Sequence, residues 1–384
     1  MVCLRIGSRW GVRAGTLDIG GALRAFVRAQ WGTANVVEAN ASTSADPVQS
    51  RFDPAAIRRR YAAAFRPRPA IYWIDMLVSA LVGWSAFAFA VEQPLGSLPW
   101  LLATGIAIFA LLRGVLFIHE IAHFKSGTMR GFEGVWHAIL GLPLMLPSLM
   151  YVGSHNDHHK RVAFGTLADP EYAPIAKWSR LRIVRFVLGV ALVPLVLPFR
   201  WGVLGPLSYL IPPLRRIAVE RASTLVINPE YRRPMPQGRH VRWWLVQEAF
   251  ACLAFWLAVA LVAMGVIQVT WLVTWYVVST GILVVNQVRT LAAHGYENEG
   301  QRLDTTGQLM DSINLSGSVL TTLVAPVGLR YHALHHFVPT VPYHSLGMLH
   351  RQLLAELPRE APYRRTERAG VLLTVRDLWE KAPA

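Results

Sequence analysis

A run of forty residues, 249–288, carries no charged side chain and constrains the fold of this chain more than any other feature. As one α-helix it would be roughly 60 Å long, about twice the ~30 Å hydrocarbon core of a bilayer. We therefore expect two membrane-spanning helices joined by a tight turn near Gly265 to Thr270. Aromatic side chains, which favour the lipid head-group region, accompany this run at Trp243, Trp244, Trp271, Trp275 and Tyr276.

A second apolar pair precedes it. Met76 to Val91 and Leu95 to Leu112 are separated by a short polar break that begins at Glu92. The chain is 53% hydrophobic and 16% charged, against about 25% charged residues in an average soluble domain. This composition argues against a disordered chain and against an ordinary soluble enzyme. We predict an all-α integral membrane protein with four transmembrane helices in two hairpins and a cytoplasmic helical cap.

Two further apolar runs, Gly134 to Gly153 and Phe186 to Phe199, contain internal prolines. Proline leaves backbone carbonyls unpaired, which lipid cannot satisfy unless neighbouring side chains do. We therefore expect both runs to be interfacial or re-entrant segments rather than spans.

The distribution of basic residues predicts the orientation. The turns at 92–100 and 265–270 contain no Lys or Arg, whereas the remaining loops are rich in both. The positive-inside rule then places both termini and all long loops in the cytoplasm. The excess of arginine over lysine favours a bacterial source, and hence the bacterial cytoplasmic membrane. A net charge of +15 suits anionic lipid head groups, and no nucleic-acid-binding motif accompanies it.

We divide the chain into three parts. Residues 1–53 form a basic N-terminal extension and linker, residues 54–356 the membrane-bound catalytic domain, and residues 357–384 a cytoplasmic C-terminal tail. Only two cysteines, Cys3 and Cys252, are present, which excludes a disulfide scaffold and any site built from four cysteines.

The thirteen histidines are the main functional signal because eight of them fall into three clusters. Side chains at i, i+3 and i+4 share one face of a helix, so each cluster can direct its imidazoles towards one point. Imidazole is the commonest nitrogen ligand of transition metals, so the clusters predict a metal site. They read HEIAH, HNDHH and HALHH and supply His119, His123, His155, His158, His159, His332, His335 and His336.

Topology gives an independent test of this prediction. The clusters can converge only if an even number of spans separates them. With four spans, none lies between the first two clusters and two lie between the second and third, so all three face the same side.

The clusters resemble those of the membrane fatty acid desaturase and hydroxylase superfamily over roughly residues 71–354. The most similar stretch is 326–344, PVGLRYHALHHFVPTVPYH, followed by 154–160, SHNDHHK. Known members hold two iron ions with about nine histidines, and the additional one follows the last span. The resemblance assigns His294 to that place, giving a di-iron site. Some members carry an asparagine four residues earlier, where this chain has Thr290.

Residues next to the ligands could orient the imidazoles by accepting their second N–H. Candidates in or near the clusters are Glu120, Asp157, Asp169, Glu171, Asp311 and Asn314. No separate catalytic residue is expected, because an unactivated methylene has no acidic proton for a base to remove. It requires an oxidant made from O₂, with the protein presenting one methylene to it.

The resemblance favours O₂-dependent desaturation of fatty acyl chains, with hydroxylation of an alkyl, sphingoid or carotenoid lipid as the alternative. Electrons would come from a separate ferredoxin or cytochrome docked on the basic cytoplasmic face. Two other interpretations remain open. His119 to His123 also fits the HExxH motif of zinc proteases, and the protein could bind metal or lipid without catalysis.

Overall fold

The computed structural model describes residues 53–125, 127–238 and 240–383, so the N-terminal extension and linker lie outside the described residues except for Asp53. One two-stranded parallel sheet is present in this part of the chain, in which β1 (Asn314–Leu315) pairs with β2 (Glu367–Arg368). The α-helices are α1 (Pro54–Arg60), α2 (Pro69–Val91), α3 (Leu98–Val115), α4 (Phe117–His123), α5 (Phe132–Trp136), α6 (Val152–His158), α7 (Arg180–Leu188), α8 (Val193–Phe199), α9 (Gly205–Ser208), α10 (Pro212–Glu220), α11 (His240–Ala263), α12 (Val269–Leu291), α13 (Thr305–Asp311), α14 (Val319–Val324), α15 (His332–Phe337), α16 (Tyr343–Glu356) and α17 (Val371–Lys381).

The protein is a mostly helical, multi-pass membrane protein. Five helical stretches of the described residues are long and apolar enough to cross a bilayer, so the predicted count of four spans is not confirmed. These stretches are Pro69–Val91, Leu98–His123, Arg180–Ser208, His240–Ala263 and Val269–Leu291. The turn expected near Gly265 to Thr270 joins α11 to α12, and Gly265 adopts the positive φ of 73° there.

The additional candidate, 180–208, is the stretch that contains the proline-rich run expected to be re-entrant. Just before it, the Ala176 N–H donates to the carbonyl of Tyr296, and after it the Asn228 side chain donates to the carbonyl of Asp169. The chain segments on either side of the stretch therefore contact the loops around the histidine clusters. Pro198 also lies inside α8, which passes into a π-helical turn. These contacts favour a segment that enters and leaves on one side.

Tryptophan side chains donate hydrogen bonds to carbonyls of the irregular backbone between α5 and α6. Trp84 of α2 donates its indole N–H to the carbonyl of Ile139 at 2.6 Å, and Trp275 of α12 donates to Pro143 at 2.9 Å. Trp201 donates likewise to a carbonyl of this segment. Irregular backbone at membrane depth is tolerated where protein groups replace water in this way. Trp275, which we expected in the head-group region, thus donates a hydrogen bond within the protein.

The C-terminal part, residues 357–384, which we predicted to be a tail, packs against the helices of the preceding domain. Its strand β2 pairs with β1 between α13 and α14, and α17 contacts α12, α14 and the turn at 175–177. The Thr366 hydroxyl accepts a hydrogen bond from the side-chain NH₂ of Asn314 at 2.9 Å. The side-chain carbonyl of Asn314 accepts from the Leu334 backbone N–H at 3.1 Å. This connection links the C-terminal part directly to α15, which carries the third histidine cluster.

A buried ion pair fixes the 180–208 stretch to α11, and we expect Glu248→Ala to destabilise the protein strongly. Glu248 accepts from Arg200 at 2.6 Å and from Arg215 at 2.7 Å, and both Arg200 and Glu248 are almost fully buried. Removing the carboxylate leaves the Arg200 charge buried without its counterion, which costs about 3–5 kcal/mol. Unfolding in detergent measures the loss.

The matched control is Glu297→Ala, because the Glu297 pair with Lys381 is well exposed on both sides. Exposed pairs contribute little, so this variant should unfold like the wild type. Equal stability of the Glu248 variant and the control would contradict the expectation.

Candidate metal centre

Four short elements carry the clustered histidines to one region. The first cluster lies on α4, which continues from the membrane-spanning α3 after a break of one residue. The second cluster ends α6, and the third begins α15. His294 follows α12 by three residues and is held there by a backbone bridge with Ser312. The membrane-spanning helices α3 and α12 thus position the first cluster and His294. The surrounding loops position α6 and α15, which carry the other two clusters.

The structure brings all nine histidines together in two groups. Within each group one ring nitrogen per residue lies within 4.8 Å of every other. The first group contains His119, His123, His155, His159 and His335, and the second contains His158, His294, His332 and His336. The second and third clusters each divide between the groups, because residues four apart and three apart on a helix point in slightly different directions.

Close nitrogen contacts connect the members of each group. In the first group the Nε2 atoms lie 3.0 Å apart for His123 and His155, and 3.1 Å apart for His159 and His335. In the second group the Nε2 atoms of His294 and His332 lie 2.9 Å apart. His159 of one group stacks on His336 of the other, with ring centroids separated by 4.5 Å. The two groups are therefore neighbours within one cluster.

Carboxylates on the outer side of the two histidine groups orient several imidazoles so that Nε2 points inwards. Asp169, which is fully buried, lies 2.8 Å from His158 Nδ1, and Glu171 lies 3.0 Å from His155 Nδ1. Asp311 lies 3.2 Å from His294 Nδ1. Such contacts select the tautomer in which Nδ1 carries the proton, which leaves the Nε2 lone pair available to a metal.

The other predicted orienting residues have different contacts. Asp157 accepts from Tyr231 and Lys160 and has no hydrogen bond to a clustered histidine in the described part of the chain. Asn314 holds the backbone of α15 rather than an imidazole. Glu120 lies 3.5 Å from His119 Nδ1 and accepts from the Tyr72 hydroxyl at 2.6 Å.

Two hydroxyl contacts of the site were absent from the sequence-based prediction. The Tyr151 hydroxyl lies 2.8 Å from His155 Nδ1, and the Ser312 hydroxyl lies 3.4 Å from His294 Nδ1. Tyr151 is the residue at the start of α6, four positions before His155, a spacing that would have indicated the contact. Ser312 reaches His294 only through the tertiary fold, and nothing in the sequence indicates it.

The histidines outside the cluster form other contacts. His137 accepts from the Ser148 backbone N–H, and His344 accepts from the Arg68 backbone N–H. His350 lies 2.7 Å from the Tyr363 hydroxyl. His240 is exposed. Thr290, at the place of the family's asparagine, is buried, and its hydroxyl accepts from Arg289.

Burial controls the protonation of the cluster. It lowers the pKa of His155, His159, His335 and His336 well below the ordinary value of 6.5, and neighbouring imidazoles lower it further. Burial also raises the pKa of Glu171 to about 7. His158 differs, because its burial is outweighed by the nearby carboxylates, Asp169 first and then Glu171 and Asp311, which together raise its pKa. Most of the imidazoles are therefore neutral, the form that binds metal.

We expect the metal-free protein to lose stability as the pH falls below 6.5. In the unfolded chain those four imidazoles take up protons near that pH, whereas in the folded chain they stay neutral. The unfolded state then binds more protons, so the free energy of unfolding falls by up to about 1.4 kcal/mol per pH unit for each histidine. His158 and Glu171, whose pKa values are raised, bind protons more readily in the folded chain and oppose this trend. Thermal unfolding of the metal-free protein on both sides of that pH measures the slope, and a melting temperature that rises on acidification would contradict it.

The fold and the cluster together define a membrane-embedded oxidoreductase of the histidine-cluster type. Residues 95–367 match the sequence model of the fatty acid desaturase family, and the chain belongs to that family. It is also 38% identical over 316 residues to a ceramide hydroxylase of Caulobacter vibrioides (strain NA1000 / CB15N). The match covers 82% of this chain and 90% of that protein. The chain is therefore an enzyme of lipid metabolism.

Membership of this family argues against the interpretation of HEIAH as a zinc-protease motif. A zinc protease would need Glu120 as the base beside a single ion. Here the Glu120 carboxylate accepts from Tyr72 and from the Tyr343 backbone N–H, and His119 and His123 belong to a group of five histidines. The arrangement fits the oxidoreductase family instead.

Proposed function

We propose that this chain is a di-iron hydroxylase that uses O₂ to insert a hydroxyl group into a ceramide-type lipid. The observation that carries the proposal is the pair of buried histidine groups, together with the similarity to a ceramide hydroxylase. That relative acts as a ceramide hydroxylase, which favours hydroxylation over the desaturation expected from the sequence.

The donor set fits iron. All nine side chains are imidazoles, which suit iron, and they form two groups that would each hold one ion. Both ring nitrogens of His119 and Nδ1 of His332 are buried without a hydrogen-bond partner among the described residues. A buried polar atom without a partner costs about 1–3 kcal/mol, which a bound ion at His119 would offset.

Each part of the chain then has a defined task. The nine histidines would hold two iron ions, which supply the oxidising power of O₂ that an unactivated methylene requires. Asp169, Glu171 and Asp311 hold the imidazoles in position, and the burial of most of the nine limits their exposure to water. Hydroxylation places one oxygen atom of O₂ in the lipid and releases the other as water, consuming two electrons and two protons.

A separate protein would supply these electrons. The only cysteines, Cys3 and Cys252, are too few for an iron–sulfur centre of the chain's own. We propose that a ferredoxin or cytochrome docks on the basic side, which the positive-inside rule assigns to the cytoplasm of a bacterial cell. Acidic surfaces of such a carrier would complement the arginine-rich loops.

Mass spectrometry of lipids tests the reaction. Cells that contain ceramide and express the wild type should accumulate a ceramide heavier by one oxygen atom, and isotopically heavy O₂ should label it. His158→Ala should abolish this product, because it removes a member of the second group. His240→Ala is the matched control, since His240 is exposed and lies outside both groups.

The outcomes separate the candidate reactions. A lipid lighter by two hydrogen atoms would replace hydroxylation with desaturation at the same site. An iron-loaded, reduced enzyme that changes no ceramide would overturn the proposed function.

A further inference from the structure

A cavity of about 330 Å³ opens beside the first histidine group. His123 and the almost fully buried Glu120 lie at its inner end. Arg58, Lys125 and Thr128, which are exposed, lie at its mouth. The cavity therefore leads from the surface to a member of the cluster, and its mouth is polar and positively charged.

The cavity lies at the membrane boundary. Its wall includes Tyr72, in the first turn of the membrane-spanning α2. From the next turn onwards, α2 exposes apolar side chains, including Ile74 at 63% and Leu81 at 68%. These are the side chains that a lipid chain would contact in the bilayer. A lipid beside α2 would thus have its chains in the hydrocarbon region and its head group at the level of the cavity.

The mouth suits a head group rich in oxygen. The Arg58 guanidinium donates to the Thr340 hydroxyl and lies over the Phe65 ring at 5.1 Å from the centroid. These two contacts fix its position at the mouth and use one of its five N–H groups. Lys125 and the hydroxyl of Thr128 add further polar groups. A ceramide head group offers hydroxyl and amide carbonyl oxygens to such donors.

A second cavity, of about 270 Å³, reaches His159 and His336 from another direction. Its lining contains no residue of the five candidate spans. It therefore does not border a membrane-spanning helix, so the cavity next to Tyr72 is the better match for a lipid.

We propose that the cavity beside Tyr72 receives the polar head group of the lipid, so that oxidation falls on the half of a chain nearer the head group. This inference rests on the proposed function and specifies the position of its product. At 330 Å³ the cavity is at the small end of ligand pockets, about 300–1,000 Å³. It holds a head group and the first carbons, and since His123 lies at its inner end, those carbons are the ones nearest the cluster.

Two measurements test the inference. Tandem mass spectrometry of the product should locate the new hydroxyl in the half of the sphingoid or acyl chain nearer the amide. Arg58→Gln should raise KM for a short-chain ceramide about tenfold, with a smaller effect on kcat, since it removes hydrogen bonds from a charged donor. It should weaken binding of the same ceramide to the metal-free protein to a similar extent, without changing the iron content.

Arg59→Gln is the matched control, because Arg59 is the next residue of α1, is exposed and does not line this cavity. It should leave KM and ceramide binding unchanged. A hydroxyl in the methyl-terminal half of either chain, or equal KM values for the two variants, overturns the inference while the hydroxylase function stands. Absence of any hydroxylated product from the wild type would instead count against the proposed function itself.

Discussion

His335→Ala should lower product formation by more than about a hundredfold and remove at least half of the iron that the wild type binds. His335 belongs to the first group, with Nε2 3.1 Å from His159 Nε2 and its ring centroid 4.3 Å from that of His119. Changes one step further from a metal already cost about ten- to a hundredfold in affinity or activity, so the loss of a ligand should exceed that range. Iron per chain is counted by elemental analysis, and activity by the amount of oxidised lipid product.

The corresponding variant of the second group, His332→Ala, should give the same activity loss and also retain at most about one ion. His240→Ala should keep full iron content and activity, because His240 is exposed and outside both groups. Full iron content in both cluster variants would show that these histidines do not bind the metal.

Asp169→Asn should weaken iron binding and activity about ten- to a hundredfold, although Asp169 is not expected to touch the metal. Its two oxygens lie 2.8 and 2.9 Å from His158 Nδ1, and they also accept the backbone N–H groups of Gly165 and Glu171. Asparagine keeps the size but loses the charge that stabilises the Nδ1 proton. Competition with a chelator measures the affinity, and lipid analysis measures the activity.

Asp157→Asn provides the matched comparison. Asp157 is adjacent to His158 in sequence, but its carboxylate accepts from Tyr231 and Lys160. We expect this variant to retain iron affinity and activity close to those of the wild type. Equal losses in the two variants would mean that buried charge in general, and not the contact with His158, sustains the site.

The contrast between these two aspartates shows what helical spacing can and cannot predict. His155, His158 and His159 share a face of α6, so their convergence follows from a local rule. Asp157 is about 100° around the helix from His158 and lies on another face, which the same rule could have indicated. Asp169 is reached by a loop eleven residues later, and only the fold of that loop brings it to the imidazole.

The membrane architecture was predictable to a similar extent. Long charge-free runs indicate spans because a helix must satisfy its own backbone in lipid. The sequence could not indicate which groups donate hydrogen bonds to the free backbone carbonyls of the proline-containing run 134–153. Its carbonyls accept from Trp84, Trp201 and Trp275, between 55 and 132 residues away. Stretch 180–208 is apolar enough for a span, and only the contacts of Ala176 before it and Asn228 after it favour a re-entrant path.

The division of two histidine clusters between both groups makes the groups parts of one assembly. The helices α6 and α15 each contribute residues to both, so an ion bound in one group would restrict the backbone that forms the other. The second ion would then meet a more ordered site and bind more tightly, which is positive cooperativity without direct contact between the ions. When iron is scarce, a population of this protein should therefore consist of empty and doubly loaded chains, with few singly loaded ones, and native mass spectrometry would resolve the three states.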